Sequence, residues 1–375
     1  MIIGIDARFY GPIGKGLGRY TQKLIENLEK VDDTNEYFIF LRKQNFGDYI
    51  PKNKNFKKVL ADYHWYTWQE QLFFPRLLKK CNLNLVHFPH FNVPLFYRGK
   101  FIVTIHDLIL IHFPTVRSST LSPVLYRLKF LAYKIVIKSA IRRSNRVIAV
   151  SKFTKKDILE NYPEAPNEKV IVTYEACEDY CMLSPEKDRE ILLKYGIIKP
   201  YILYVGNAYP HKNLERLVLA FKEAQKSNND LKLVLVGRID YFYARLKEFA
   251  EKKKVPGVIF AGYVPDYELD TIFHNSLAYI FPSLYEGFGL PPLEAMAKGT
   301  PVFSSDHPCM KEVLGDSAYY FDAKDTNAIV ETIKLILKGG RLREELIKKG
   351  YEKIREYSWK KMAEMTLRAY KNVRV

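Results

Sequence analysis

Short β-rich apolar runs alternate with longer amphipathic stretches along the whole chain, and this alternation narrows the fold more than any other feature. Runs at 2–5, 37–41, 83–87, 101–105 and 146–150 read as buried strands. Between the first two, Leu17, Tyr20, Leu24, Leu28 and Val31 recur every three or four residues, the spacing of one helix face. The pattern resumes at 201–205, 231–236, 258–260, 277–281, 301–303 and 318–321. Repeated strand–helix–strand units imply an α/β protein with parallel sheets covered by helices. The stretch 161–199 carries Pro163, Pro166 and Pro185, one strand-like piece at 169–173, and no clear period until about Asp188. A break near 175–196 therefore reads as the connection between two doubly wound, Rossmann-like domains. Their expected limits are 1–182 and 197–356, with a final helix at 357–375 that can pack back on the first. Folds of this type bind ligands at the carboxyl ends of their strands, so a cleft between the halves is the expected site.

The charge is unusual for such a chain. Its 59 Lys+Arg against 42 Asp+Glu leave a net +17, which points to an anionic partner: nucleic acid, lipid headgroups or a phosphorylated ligand. Cys81, Cys177, Cys181 and Cys309 are too few for a disulfide framework, and Cys177 and Cys181 stand four apart rather than three. The opening MIIGIDARFY has no secretory leader, and no apolar run approaches the roughly 20 residues of a membrane span. A cytoplasmic protein, soluble or peripheral on the inner face of the cell membrane, is expected. At 125–143, Arg127, Lys134, Lys138 and Arg142 fall along one helix face beside Tyr126, Phe130, Tyr133, Ile137 and Ile141. This is either a packed helix with a solvated basic face or a docking element for an anionic membrane.

Three loops that follow strands carry chemistry. Gly11-Pro12-Ile13-Gly14-Lys15-Gly16-Leu17-Gly18-Arg19 lets a backbone approach a ligand, but Arg19 stands where the dinucleotide fingerprint needs glycine, and no Lys-Ser/Thr pair of a P-loop follows. Gly206-Asn207-Ala208-Tyr209-Pro210-His211-Lys212-Asn213 places a lysine before an expected N-cap, where its ammonium and the free helix N–H groups can meet one phosphate. In Glu286-Gly287-Phe288-Gly289-Leu290-Pro291-Pro292-Leu293-Glu294, two carboxylates flank a Gly-rich turn that opens a helix at the prolines. That spacing leaves Glu286 on the loop, puts Glu294 in the first helical turn, and lets the backbone of 287–290 face an anion.

The Glu286-to-Glu294 segment resembles the paired-glutamate signature of retaining GT-B glycosyltransferases of family 4. The likeness extends over nearly the whole chain: Ile5-Asp6-Ala7-Arg8, the first glycine loop, Val103 through Leu108 with His106-Asp107, Ile148 through Lys155, the Lys212 loop, and Gly262 through Asp266. Within the family it is most similar to bacterial mannosyltransferases of surface polysaccharide synthesis. The resemblance implies a GT-B fold and a nucleoside-diphosphate sugar, best taken as GDP-mannose, bound mainly on the C-terminal domain. The acceptor, a glycan or polyprenyl-diphosphate-linked saccharide, would approach from the N-terminal side, with His90 and Asp107 near it. Lys212 would hold the diphosphate, Glu286 the sugar hydroxyls, and Glu294 the ribose. Gly206 and Asn207 would lie along the donor, Gly287, Phe288, Gly289 and Leu290 would contact sugar and phosphate, and Val264 would line the base pocket. Gly14 and Gly16 would lie near the diphosphate, and His106 would face the donor sugar. Many relatives have arginine where this chain has Asn207, and the branch it most resembles has arginine where this chain has His211. Arg238 is therefore a further candidate for phosphate charge.

No cofactor or metal is expected, because Lys212 and helix N-termini can stabilise a leaving diphosphate and no Asp-x-Asp or His cluster is evident. A UDP-sugar transferase and a two-domain sugar-nucleotide epimerase remain as alternatives. A dehydrogenase lacks its glycine fingerprint. A single-strand nucleic-acid binder would explain the charge and the 27 Tyr and 23 Phe, but not the glutamate pair.

Overall fold

The computed structural model describes residues 1–12, 15–114, 122–177 and 185–373. They form two compact units. The first comprises Met1–His112, Ser122–Glu175 and Ser358–Val375, and the second Phe113–Leu121 and Ala176–Tyr357. Gly14 and Cys181 lie outside the described residues.

The first unit contains strands β1 (Ile2–Asp6), β2 (Glu36–Leu41), β3 (Phe56–Leu60), β4 (Leu85–Phe88), β5 (Phe101–Ile105), β6 (Arg146–Ala149) and β7 (Val170–Val172). They form one parallel sheet in the order β3-β2-β1-β4-β5-β6-β7. Helices α1 (Lys15–Val31), α2 (Trp68–Lys80), α3 (Ile109–His112), α4 (Pro123–Arg143) and α5 (Lys152–Asn161) connect them. The face read from the sequence of α1 is the face it buries, through Tyr20, Leu24 and Leu28. Strand β3 escapes sequence reading because it is an edge strand, FKKVL, whose Lys57 and Lys58 break the apolar run.

A buried charge cluster closes the end of β1. The fully buried Arg8 guanidinium donates to both Asp6 oxygens (2.8 and 2.7 Å) and to Glu70 Oε1 (2.7 Å). It lies 4.1 Å over the Phe74 ring, and Asn92 donates to the same Glu70 oxygen. The cluster fastens the loop after β1 to α2.

The second unit contains a parallel sheet in the order β10-β9-β8-β11-β12-β13, with β8 (Tyr201–Val205), β9 (Lys232–Val236), β10 (Val258–Gly262), β11 (Ala278–Phe281), β12 (Val302–Ser305) and β13 (Ala318–Phe321). Its helices are α6 (Pro185–Lys194), α7 (Leu214–Gln225), α8 (Tyr241–Lys252), α9 (Asp266–His274), α10 (Leu290–Ala297), α11 (Pro308–Leu314), α12 (Thr326–Lys338) and α13 (Arg341–Ile354). The chain changes units at Glu175–Ala176, seven residues before the expected limit of 182, and α6 occupies part of the expected connection. Lys194 at the end of α6 pairs with Glu268 of α9 at 2.7 Å, which ties that helix to the second sheet. Phe113 also belongs to this second unit, although the sequence placed it inside the first domain.

The last helix, α14 (Trp359–Lys371), belongs to the first unit, where it packs on α1. Tyr370 Oη lies 2.6 Å from His87 Nδ1, and His87 Nε2 lies 2.8 Å from Thr104 Oγ1, so a buried polar chain links α14 to β4 and β5. Burial holds His87 neutral, with its pKa pushed down to about 3. Among the described residues, no helix is long and apolar enough to cross a membrane.

Candidate active site

In the second unit, the loops after β8 and β11 meet. After β8, the chain runs from Gly206 into a 3₁₀ turn at Pro210–Lys212 and then to Asn213, at φ 63°. Asn213 precedes α7, but its side chain does not cap it. Instead Nδ2 donates to the carbonyls of Pro282 (3.2 Å) and Ala323 (2.7 Å), pinning the turn to the ends of β11 and β13. Leu284 N–H donates to the His211 carbonyl at 2.8 Å, so the two loops are also joined by backbone.

This bracing sets Lys212 against Glu286. Lys212 Nζ donates to Glu286 Oε1 at 2.6 Å, with both side chains about nine-tenths buried, and the ammonium lies 5.4 Å over the Phe281 ring. Ser283 Oγ donates to the same carboxylate oxygen. Burial alone would raise the Glu286 pKa, but Lys212, His211 and Ser283 outweigh it and hold the carboxyl below its ordinary value. His211 supplies no second cation. Burial and the adjacent Lys212 push it down to about 4, and its ring sits beside Tyr209 and Phe113. The arginine missing beside Lys212 is therefore replaced by a neutral, buried ring.

Gly289 has φ 89°, and a Cβ there would stand 2.5 Å from Met310 Cε, so glycine is required where the chain turns into α10. Leu290, Pro291 and Pro292 are the first three helical residues, which leaves Leu290 as the one N–H donor among them. Glu294 is the fifth residue of α10, one or two positions further in than the sequence suggested, and half-buried. Burial, Glu294 and Glu286 together raise the Tyr279 phenol well above its ordinary value, and its hydroxyl donates to Val205 O at 3.1 Å.

Neighbouring strand ends carry the other donor-side candidates. Gly237 approaches so closely that a Cβ there would stand 2.2 Å from the Gly206 carbonyl oxygen. Asn207 accepts from the Tyr209 N–H and its carbonyl from Tyr204 Oη, so it shapes the loop. Arg238 is exposed just past β9, and Val264 is buried just past β10.

The first unit holds the remaining candidates. Gly16 is exposed in the first turn of α1. Asp107 Oδ1 accepts from Ile109 N–H at 2.9 Å at the start of α3. His90 lies tilted against Phe9 and Phe91, and burial together with His106 pushes its pKa down to about 3. His106 lies with Nε2 2.9 Å from the Pro89 carbonyl and Nδ1 3.0 Å from Glu175 Oε1. Both partners are acceptors, so both ring nitrogens are protonated and the imidazolium has no lone pair for base chemistry. Burial would lower the His106 pKa, but Glu175, Pro89 and Asp107 outweigh it and raise the value. Sequence reading missed Glu175, Ser283 and Phe281. Ser283 stands three residues before Glu286, within reach of a side-chain hydrogen bond, and that was the available signal.

A raised His pKa stabilises the fold fully below the ordinary value of about 6.5, and the gain disappears as pH climbs through the raised value. Melting curves of the parent and Glu175→Gln should therefore converge with rising pH. A gap independent of pH would contradict the ion pair.

The two doubly wound parallel sheets agree with the comparisons. The model for glycosyl transferases group 1 matches residues 187–353, and that for glycosyltransferase family 4 matches 14–177. The chain belongs to the family 4 glycosyltransferases. It is similar to O-antigen chain mannosyltransferase B of Escherichia coli, at 28% identity over 95% of this chain and 96% of the relative. The O-antigen chain mannosyltransferase RfbU of Salmonella typhimurium is 27% identical, over 87% and 88%. Among solved structures, sucrose-phosphate synthase from Thermosynechococcus elongatus superposes with a TM-score of 0.77 over 100% of this chain and 99% of that one, at 20% identity. The glycosyltransferase fold is thus GT-B, with two Rossmann-like units.

Proposed function

We propose that this glycosyltransferase moves mannose from GDP-mannose, with retention of the anomeric configuration, onto a glycan or polyprenyl-diphosphate-linked saccharide. The observation that carries the donor site is the braced Lys212–Glu286 pair at the ends of β8 and β11. The names of the two O-antigen relatives favour mannose and a surface polysaccharide. A cytoplasmic location follows from that reading.

In the reaction, the bond from the anomeric carbon to the diphosphate oxygen breaks, and a bond from that carbon to an acceptor hydroxyl oxygen forms. The hydroxyl proton passes to the leaving diphosphate. Positive charge builds on the sugar and negative charge on the departing oxygen, so fixed donors aimed at that oxygen accelerate the step. Lys212 has three N–H bonds and spends one on Glu286, leaving two for phosphate. Glu286, kept ionised, accepts from sugar hydroxyls, and Glu294 takes the ribose. These groups supply the stabilisation without a divalent metal. His106, with both ring nitrogens bonded to Glu175 and Pro89, faces the donor sugar in this reading and does not remove a proton.

A melting-temperature panel with GDP, UDP and ADP, followed by turnover of the stabilising sugar nucleotide with chelator present, tests this reading. GDP should stabilise most, since ligand binding raises stability by mass action. The product should carry the α-anomer, and chelator should leave the rate unchanged. Selective stabilisation by UDP would favour a UDP-sugar donor, and donor turnover without acceptor would favour an epimerase.

A further inference from the structure

The strands β3, β2, β1 and β4 lie side by side in the first sheet, and the loop after each adds a side chain to one aromatic cluster. Phe9, after β1, stacks on Trp65, after β3, with ring centroids 4.3 Å apart and planes 10° from parallel. The Arg42 guanidinium, after β2, lies 4.9 Å from the same indole. His90, after β4, is tilted against Phe9 and Phe91, and the Tyr66 ring lies 6.5 Å from Phe91. Tyr66 and Trp68, at the start of α2, are 64 and 79% exposed.

Two observations set this cluster apart from an ordinary loop layer. Tyr66 has φ 62°, a left-handed conformation that a bulky side chain adopts only when its surroundings impose it. The imposing group is buried: Tyr66 N–H donates to Glu70 Oε2 at 2.7 Å, while Arg8 and Asn92 hold the other oxygen. Arg8 also donates to the Tyr63 carbonyl at 3.3 Å. The charge cluster at the end of β1 thus holds the Tyr66 ring outward against the preference of its backbone. The second observation is polar. Trp65 Nε1, His90 Nδ1 and Arg42 Nε are enclosed and have no hydrogen-bond partner among the described residues. Asp62 Oδ1, 3.6 Å from Arg42 Nε, balances its charge from beyond hydrogen-bond reach. Buried polar atoms are ordinarily paired, so three orphans at one end of one sheet call for a partner. An indole only donates and a neutral imidazole donates or accepts, and a hydroxyl group can serve both.

We propose that these loops form a binding platform for an oligosaccharide acceptor, taking the sugar residues beyond the one that reacts. Tyr66 and Trp68 stack on the C–H faces of pyranose rings, and sugar hydroxyls pair with Trp65, His90 and Arg42. Asp62 offsets Arg42 and His90 is neutral, so the cluster suits an uncharged chain of hydroxyls better than a phosphate. The proposal rests on the saccharide acceptor put forward above and not on the identity of the donor.

Two of the three tryptophans, Trp65 and Trp68, lie in the cluster, so intrinsic fluorescence reports on it. The full chain is titrated with α-linked tetrasaccharides of mannose, glucose and galactose, and with the three monosaccharides. At least one tetrasaccharide should give a saturable change, with an affinity about tenfold or more above that of its monosaccharide, because more than one ring stacks. Tyr66→Gly should weaken that binding by about three- to tenfold. Glycine adopts φ 62° without strain, so this variant should melt at or above the parent temperature. Trp68→Ala should weaken binding by a similar factor and leave melting unchanged. Both variants should keep the parent response to GDP and UDP, which separates loss of the platform from failure of the donor reading. No response to any tetrasaccharide would overturn the proposal. So would an affinity no better than the monosaccharide's, or one unchanged in both variants. A Tyr66→Gly protein that binds like the parent and melts lower would make the ring a packing element only.

Discussion

Replacing Lys212 with methionine should lower transfer by about a hundred- to thousandfold, the usual loss when one fixed donor to a developing oxyanion is removed. The loss should fall on turnover more than on donor affinity, because the ammonium matters most as charge reaches the leaving oxygen. A second effect accompanies it. Lys212 is the main influence holding Glu286 below its ordinary pKa against burial, and removal of one partner from a buried pair costs about 3–5 kcal/mol. The double variant Lys212→Met with Glu286→Gln should recover most of that stability and none of the activity. Thermal melts and initial rates on the three proteins separate the two roles. Recovery of both by the double variant would mean that the pair is structural only.

An effect of similar size is expected at the end of β1 in the first unit. Arg8→Met should destabilise the first unit by about 3–5 kcal/mol, because it strips the counter-charge from two buried carboxylates at once. Methionine keeps the packing on Phe74, so the loss reports charge rather than volume. Burial already pushes Glu70 above its ordinary pKa, against the pull of Arg8. In the variant that shift should grow, so acid should partly rescue stability and rising pH should deepen the loss. Denaturant melts at several pH values check this. A loss below about 1 kcal/mol with no pH dependence would show that the carboxylates find solvent instead.

The parallel sheets were legible because central strands are buried on both faces and read as apolar runs. Strand β3 was hidden by Lys57 and Lys58, which break its apolar run at the sheet edge. The glutamate pair and Lys212 were legible from spacing, since local motifs survive in one dimension. Glu175 was not: it lies 69 residues from His106, and only the return of β7 beside β6 brings them together. Phe113 was misplaced for a similar reason, because its ring is held by His211 and Tyr285, which come much later in the chain. Asn213 looked like an N-cap in sequence, yet its Oδ1 accepts from Arg216 Nη1 at 2.9 Å, while its amide donates to the Pro282 and Ala323 carbonyls.

Helix α14 is made after every residue of the second unit, yet it lies on α1 in the first. During synthesis, the earlier unit must therefore wait with the apolar side of α1 and the imidazole of His87 uncovered while the later one emerges and folds. The nascent chain carries an open seam through most of its elongation. Such seams attract holdase chaperones and wrong partners, so the order of manufacture, and not only the final packing, shapes how reliably this protein matures.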